Sequence, residues 1–150
     1  MFCTKFEVSV SPGDGLCLLH STLTSYNLQL GSSLCNLTEL ITKLRKEVDK
    51  NKSMYAISCG NSLQSLYKQM TTYCDAKRPN SYDSNFGDVV PVVLANALNC
   101  KLTIVHTDSL DSNNRLRVSV IAPTSHLEEP SICDITIAKV GQHYNALKPL

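Results

Sequence analysis

An α+β domain with a small sheet covered by helices is the fold class that this 150-residue sequence predicts. Two observations carry it. Apolar residues recur with a helical period as far as Leu98, and from Cys100 onward the period switches to two, so helices come first and strands later. Composition agrees: 43% hydrophobic and 18% charged residues are ordinary for a soluble globular protein. The length suits one domain spanning 1–150, able to bury a core without disulfides or metal.

Residues 1 to 10 read as an extended lead-in or edge strand. Leu18, Leu19, Thr22, Leu23, Tyr26 and Leu30 then form a helical stripe, which Gly31 is placed to end as a C-terminal cap. The capping-box pair Asn36 and Glu39 opens a second helix, marked by Leu37, Leu40, Ile41, Leu44 and Val48. The chain breaks at Cys59-Gly60-Asn61, and Leu63, Leu66, Tyr67, Met70 and Cys74 mark a third helix. Residues 77 to 85 form a polar loop centred on Pro79. Phe86-Gly87-Asp88 then leads into a helix running to Leu98, with Asp88 its expected N-cap and Pro91 in its first turn. Alternation then marks strands over 101–105, 115–121 and 134–140, the second preceded by the turn-rich Asp111-Ser112-Asn113-Asn114.

Several function classes lose support from the charge and cysteine patterns. Fourteen Lys and Arg residues, scattered along the chain, stand against 13 Asp and Glu, so nucleic acid is not an expected partner. The seven cysteines include no C-x-x-C element, which disfavours zinc ribbons and thioredoxin-like redox sites. No stretch resembles a signal peptide or a membrane span, so the expected setting is a reducing compartment, the cytoplasm or the nucleus, with no membrane partner.

The chemistry concentrates at the two ends of the chain. Pro12, Gly13, Asp14 and Gly15 are turn formers, and they deliver Cys17 to the first turn of the first helix. Unpaired N–H groups and the positive end of the helix dipole favour a thiolate there, which makes Cys17 a candidate nucleophile. Taken alone, the same pattern is better read as a small buried cysteine on a core helix. Near the other end, the last of the alternating strands leads into His143, with Asn145 two residues on and on the same side of an extended segment. An amide oxygen there can accept from the imidazole and hold the ring, although His143 by itself is no more than a surface or core histidine. Cysteine, histidine and an orienting asparagine are together the parts of a cysteine hydrolase.

Asp-Gly-x-Cys-Leu at 14–18, His-aromatic-Asn at 143–145 and helices between them make the chain resemble the ovarian-tumour (OTU) family of papain-like deubiquitinases, over roughly residues 6–147. The stretch from Phe86-Gly87-Asp88 through Leu94-Ala95-Asn96-Ala97-Leu98 to Ile104 looks like that family's aromatic-Gly turn, Ala/Leu-rich helix and following strand. Leu19 and Phe86 stand where the family often has an aromatic residue and a Trp, and both keep apolar bulk.

The resemblance implies an OTU-type papain-like fold with a small, mostly antiparallel sheet packed between helices. It also implies Cys17 as nucleophile, His143 as general base and then acid, and Asn145 as the residue orienting it. By the same resemblance Asp14 shapes the turn whose backbone N–H groups, at Gly15, Leu16 and Cys17, form an oxyanion hole, a role such a turn can fill because consecutive N–H groups converge on an anion. His20, His106 and His126 receive no role. The implied activity is hydrolysis of the isopeptide bond after the C-terminal Gly of ubiquitin or a ubiquitin-like modifier, through a Cys17 thioester. No cofactor or metal is required, ubiquitin or polyubiquitin is the partner, and a monomer is expected. Two alternatives stay open: a silent OTU-like module that binds ubiquitin without cutting, and a papain-like protease acting on peptide bonds.

Overall fold

The computed structural model describes residues 6–9, 16–30, 36–75, 84–124 and 133–149. Among these described residues, five helices precede most of the strands: β1 (Phe6–Ser9), α1 (Cys17–Leu30), α2 (Leu37–Lys50), α3 (Lys52–Ser58), α4 (Leu63–Asp75), α5 (Asn85–Leu98), β2 (Cys100–Leu110), β3 (Leu116–Ile121), β4 (Cys133–Val140) and β5 (His143–Pro149). The strands form one sheet in the order β1-β5-β4-β2-β3. Three of its ladders are antiparallel and one, β2 with β4, is parallel. The mixed α+β class is therefore as the sequence predicts, and β1 is an edge strand, with β3 at the other edge. Among the described residues, no helix is long and apolar enough to cross a membrane.

Each helix is fixed by local chemistry that can be named. Asn36 caps α2: its side chain accepts from Glu39 N at 2.9 Å, while its own amide donates to Glu39 Oε1 at 3.2 Å. Leu40, Leu44 and Val48 of α2 are fully buried. Helix α3, which the apolar pattern does not announce, turns off α2 at Asn51 and buries only Tyr55 and Ala56. In α4 the inward stripe is Leu66, Met70 and Tyr73, whereas Leu63 is exposed.

Helix α5 begins earlier than the sequence suggests. Ser84, not Asp88, is its N-cap and accepts from Gly87 N at 3.0 Å, while Gln69 of α4 accepts from Phe86 N at 2.9 Å. These two bonds satisfy first-turn donors that a later start would leave outside the helix. Phe86 and Gly87 are consequently helical, Asp88 lies in the first turn, and Pro91 sits inside the helix. There Pro91 deprives the Gly87 carbonyl of its donor four residues on. Phe86 is fully buried edge-on to Tyr73, with ring centroids 5.6 Å apart, which locks α5 to α4.

The core is one cluster, joining Leu18 and Leu19 of α1 to the apolar faces of α2, α4 and α5 and to Leu102, Ile104, Ile135 and Ile137 of the sheet. A buried polar network also ties α2, α3 and α5 together. Tyr55 donates to Glu47 Oε2 at 2.8 Å and accepts from Asn96 at 2.9 Å, while Asn51 donates to the same Glu47 oxygen at 2.7 Å. Asn96 also binds the chain after β3, accepting from Thr124 N at 2.7 Å.

Candidate active site

Cys17 is the first residue of α1 and is 6% exposed. Two serines set its position. Ser21 donates to the Cys17 carbonyl at 2.7 Å, tightening the first turn, and Ser25 donates to the Thr136 carbonyl of β4 at 3.2 Å, fixing α1 along the sheet. Both are buried, and their small side chains let the helix approach the strands closely. With α1 so placed, the Cys17 thiol meets the Gln142 carbonyl at 3.9 Å, across 125 residues of chain.

Gln142 lies in the two-residue turn that joins β4 to β5, where Val140 pairs with His143. Gly141, first in that turn, has φ +57, a conformation that glycine adopts freely. His143 thus opens a fifth strand, a correction to the reading in which the last strand ends at it. The hairpin turn resets the chain so that His143 and Asn145 share one face of β5. His143 Nε2 and Asn145 Oδ1 are 2.8 Å apart. A carboxamide oxygen can only accept, so this pairing suits the tautomer in which Nε2 donates and Nδ1 keeps a lone pair.

The structure therefore brings the thiol of Cys17 to the residue adjoining His143 and pairs His143 with Asn145. Leu16 is buried immediately ahead of α1. Asp14 and Gly15, together with the Gly31 cap and His126, lie outside the described residues.

A cavity of about 220 Å³ opens beside Cys17. Its far wall is sheet, with His106, Ser119, Lys139 and Tyr144, and α5 contributes Asp88 and Pro91. The Lys139 ammonium stands over the Tyr144 ring at 5.4 Å, and His106 Nε2 is 2.8 Å from Ser119 Oγ. Sequence reasoning left His106 without a role. It continues the inward alternation of Leu102 and Ile104 on β2, and a polar residue extending an apolar face was the signal available. Among the described residues, no group of His, Cys, Asp or Glu is arranged to hold a metal ion.

No family model matches the chain, and no curated protein matches it. Solved structures do. An OTU deubiquitinase from Wolbachia pipientis wMel bound to ubiquitin superimposes with a TM-score of 0.61 at 20% identity, covering 95% of this chain and 94% of that one. The viral OTU domain protease from Taggert virus gives 0.61 at 20% identity, covering 96% and 80%. The Hazara virus OTU bound to ubiquitin gives 0.58 at 21% identity, covering 99% and 87%. The architecture of this chain is the α+β, papain-like fold of OTU domains.

Proposed function

We propose that this domain is a cysteine-dependent deubiquitinase. The observation that supports it most directly is the convergence of Cys17, at the start of α1, on the turn that leads into a hydrogen-bonded His143–Asn145 pair, within a fold whose solved examples include OTU domains bound to ubiquitin. In this reading His143 Nδ1 takes the Cys17 proton, and the thiolate attacks the carbonyl of the modifier's C-terminal Gly. The oxyanion is held by N–H groups at the head of α1, and His143 returns the proton to the leaving lysine amine. Water, deprotonated by His143, then hydrolyses the thioester and frees the thiol. Asn145 keeps the ring in the tautomer that this cycle uses. The cavity beside Cys17 is the space for the modifier's C-terminal tail.

Ubiquitin carrying a C-terminal electrophile tests the reading. The wild-type domain is expected to form a covalent adduct at Cys17 and to cleave ubiquitin chains. Cys17→Ala should lose both and still bind ubiquitin. Cleavage retained by Cys17→Ala refutes the assignment. Binding by the wild type without adduct or cleavage identifies a silent ubiquitin-binding module instead, and cleavage of peptides but not of ubiquitin chains identifies a peptide-bond protease.

A further inference from the structure

The β4–β5 turn carries both Gln142, which the Cys17 thiol meets, and His143, so anything that holds this turn sets the geometry of the pair. Two side chains of β2 hold it. Strand β2 pairs in parallel with β4 as far as His106 and Lys139, and there the ladder stops. On its other side, the register of β2 with β3 also breaks between His106 and Leu110. A bulge of this kind frees the backbone from regular pairing and re-aims the side chains. The two residues that follow His106 both reach the end of β4: Thr107 Oγ1 donates to the Lys139 carbonyl at 3.2 Å, and Asp108 Oδ2 accepts from Gly141 N at 2.8 Å. Side chains replace the missing ladder where the strand runs into the turn.

We infer that Asp108 is a positioning residue, and that with Thr107 it forms a clamp holding the Gly141–Gln142 turn so that His143 faces Cys17. Asp108 touches no reacting atom. A carboxylate accepting from a backbone N–H makes a charge-assisted bond, stronger and shorter than a neutral one, which suits an exposed anchor. Gly141 supplies an independent handle on the same turn. A methyl group added there meets nothing within 4 Å, so Gly141→Ala acts through the strain of φ +57 alone. The inference rests on the proposed role of Cys17 and His143, and the experiment separates the two.

The test measures kcat and KM on ubiquitin carrying a C-terminal fluorogenic amide, together with the second-order rate of Cys17 alkylation by iodoacetamide. Alkylation needs no ubiquitin, and a Cys17→Ala control identifies the signal. Displacement of reacting groups by about 1 Å costs up to roughly 100-fold in rate. Asp108→Ala and Gly141→Ala are therefore expected to lower kcat by about 10-fold to 100-fold with KM within about twofold, and to slow alkylation. Asp108→Asn, which keeps an acceptor oxygen, should recover most of the loss. Asp111 is the control, since its side chain accepts from Asn113 N and Arg115 N within the β2–β3 turn and, among the described residues, makes no hydrogen bond to the β4–β5 turn. Asp111→Ala should lower melting temperature without changing kcat or alkylation.

Wild-type kcat and alkylation rate in folded Asp108→Ala would overturn the clamp, as would an equal loss in Asp111→Ala. If the wild type cleaves no ubiquitin substrate, the deubiquitinase reading fails, and the alkylation rates still decide the clamp in either direction.

Discussion

The contact between His143 and Asn145 can be turned into a rate. Their 2.8 Å hydrogen bond joins a ring N–H to a neutral carboxamide. While the imidazole is neutral, such a bond contributes about 1 kcal/mol, and when the ring becomes a cation it contributes about 1.5–3 kcal/mol. In the proposed mechanism His143 is cationic in the transition state for attack, so the difference, about 0.5–2 kcal/mol, acts on the barrier and not on ubiquitin binding. Asn145→Ala should thus lower kcat by roughly 2-fold to 30-fold and leave KM nearly unchanged. Asn145→Asp places an acceptor at the same point and should recover the loss. Steady-state kinetics on a fluorogenic ubiquitin amide give both constants, and circular dichroism checks that each variant is folded. A folded Asn145→Ala domain whose kcat equals that of the wild type would refute the reasoning, because the amide would then neither hold the ring nor stabilise its charge.

Two further tests address stability. Thr22 is 1% exposed on α1, and its hydroxyl has no hydrogen-bond partner among the described residues. Thr22→Val replaces a stranded polar atom with a methyl group of similar size, so the variant should gain about 1 kcal/mol, or roughly 2–4 °C in melting temperature by calorimetry; a fall instead would show that the hydroxyl is satisfied. Tyr55→Phe removes the hydroxyl that bridges Glu47 and Asn96 and should cost about 2–3 kcal/mol, or roughly 4–12 °C. Burial, reinforced by Glu47 and opposed by the Asn96 hydrogen bond, pushes the Tyr55 hydroxyl well above the usual tyrosine range. The unfolded chain then loses this proton near pH ~10 while the folded one keeps it, so wild-type stability falls as pH rises past that point, by up to about 1.4 kcal/mol per pH unit. The variant lacks this slope, so its deficit should shrink above pH ~10 in denaturant titrations run across pH; a deficit that stays constant would contradict the assignment.

What was legible in the sequence was what is local. Asn36 and Glu39 lie three residues apart and make their cap within one turn, so α2 could be placed from the sequence. The start of α5 could not. Ser84 and Asp88 are both acceptable caps, and the choice rests on Gln69, which reaches from α4 to Phe86 N. Helix α3 buries too few residues to leave a periodic stripe. The residues of the proposed site, Cys17, His143 and Asn145, were visible as candidates because their chemistry is carried by residue type and spacing. The groups that position them were not. The hydrogen bond from Ser25 to Thr136 spans 111 residues, and that from Gly141 to Asp108 spans 33. Neither leaves a periodic or compositional trace, because each is a single bond whose partner is chosen by strand order.

Strand order is also what makes a site out of two distant chain segments. Because β2 runs parallel to β4, the two strands end at the same edge of the sheet, so Thr107 and Asp108 arrive beside the turn that β4 enters. An antiparallel pairing would carry them to the opposite edge, and the turn would be held only by its own backbone. The remaining ladder closes the arrangement: β1, which precedes Cys17, pairs with β5, which begins at His143, through Val8 with Leu147 and Ser9 with Ala146. The segments on either side of the proposed nucleophile are thereby tied to the same hairpin, β1 to β5 by its ladder and α1 to β4 by Ser25. Relative motion of α1 and the hairpin then requires breaking the Ser25–Thr136 bond and unpacking Leu18 and Leu19 from the core they share with β4, not merely turning the Cys17 and His143 side chains. Such restraint is what the proposed pairing of a thiol and an imidazole needs.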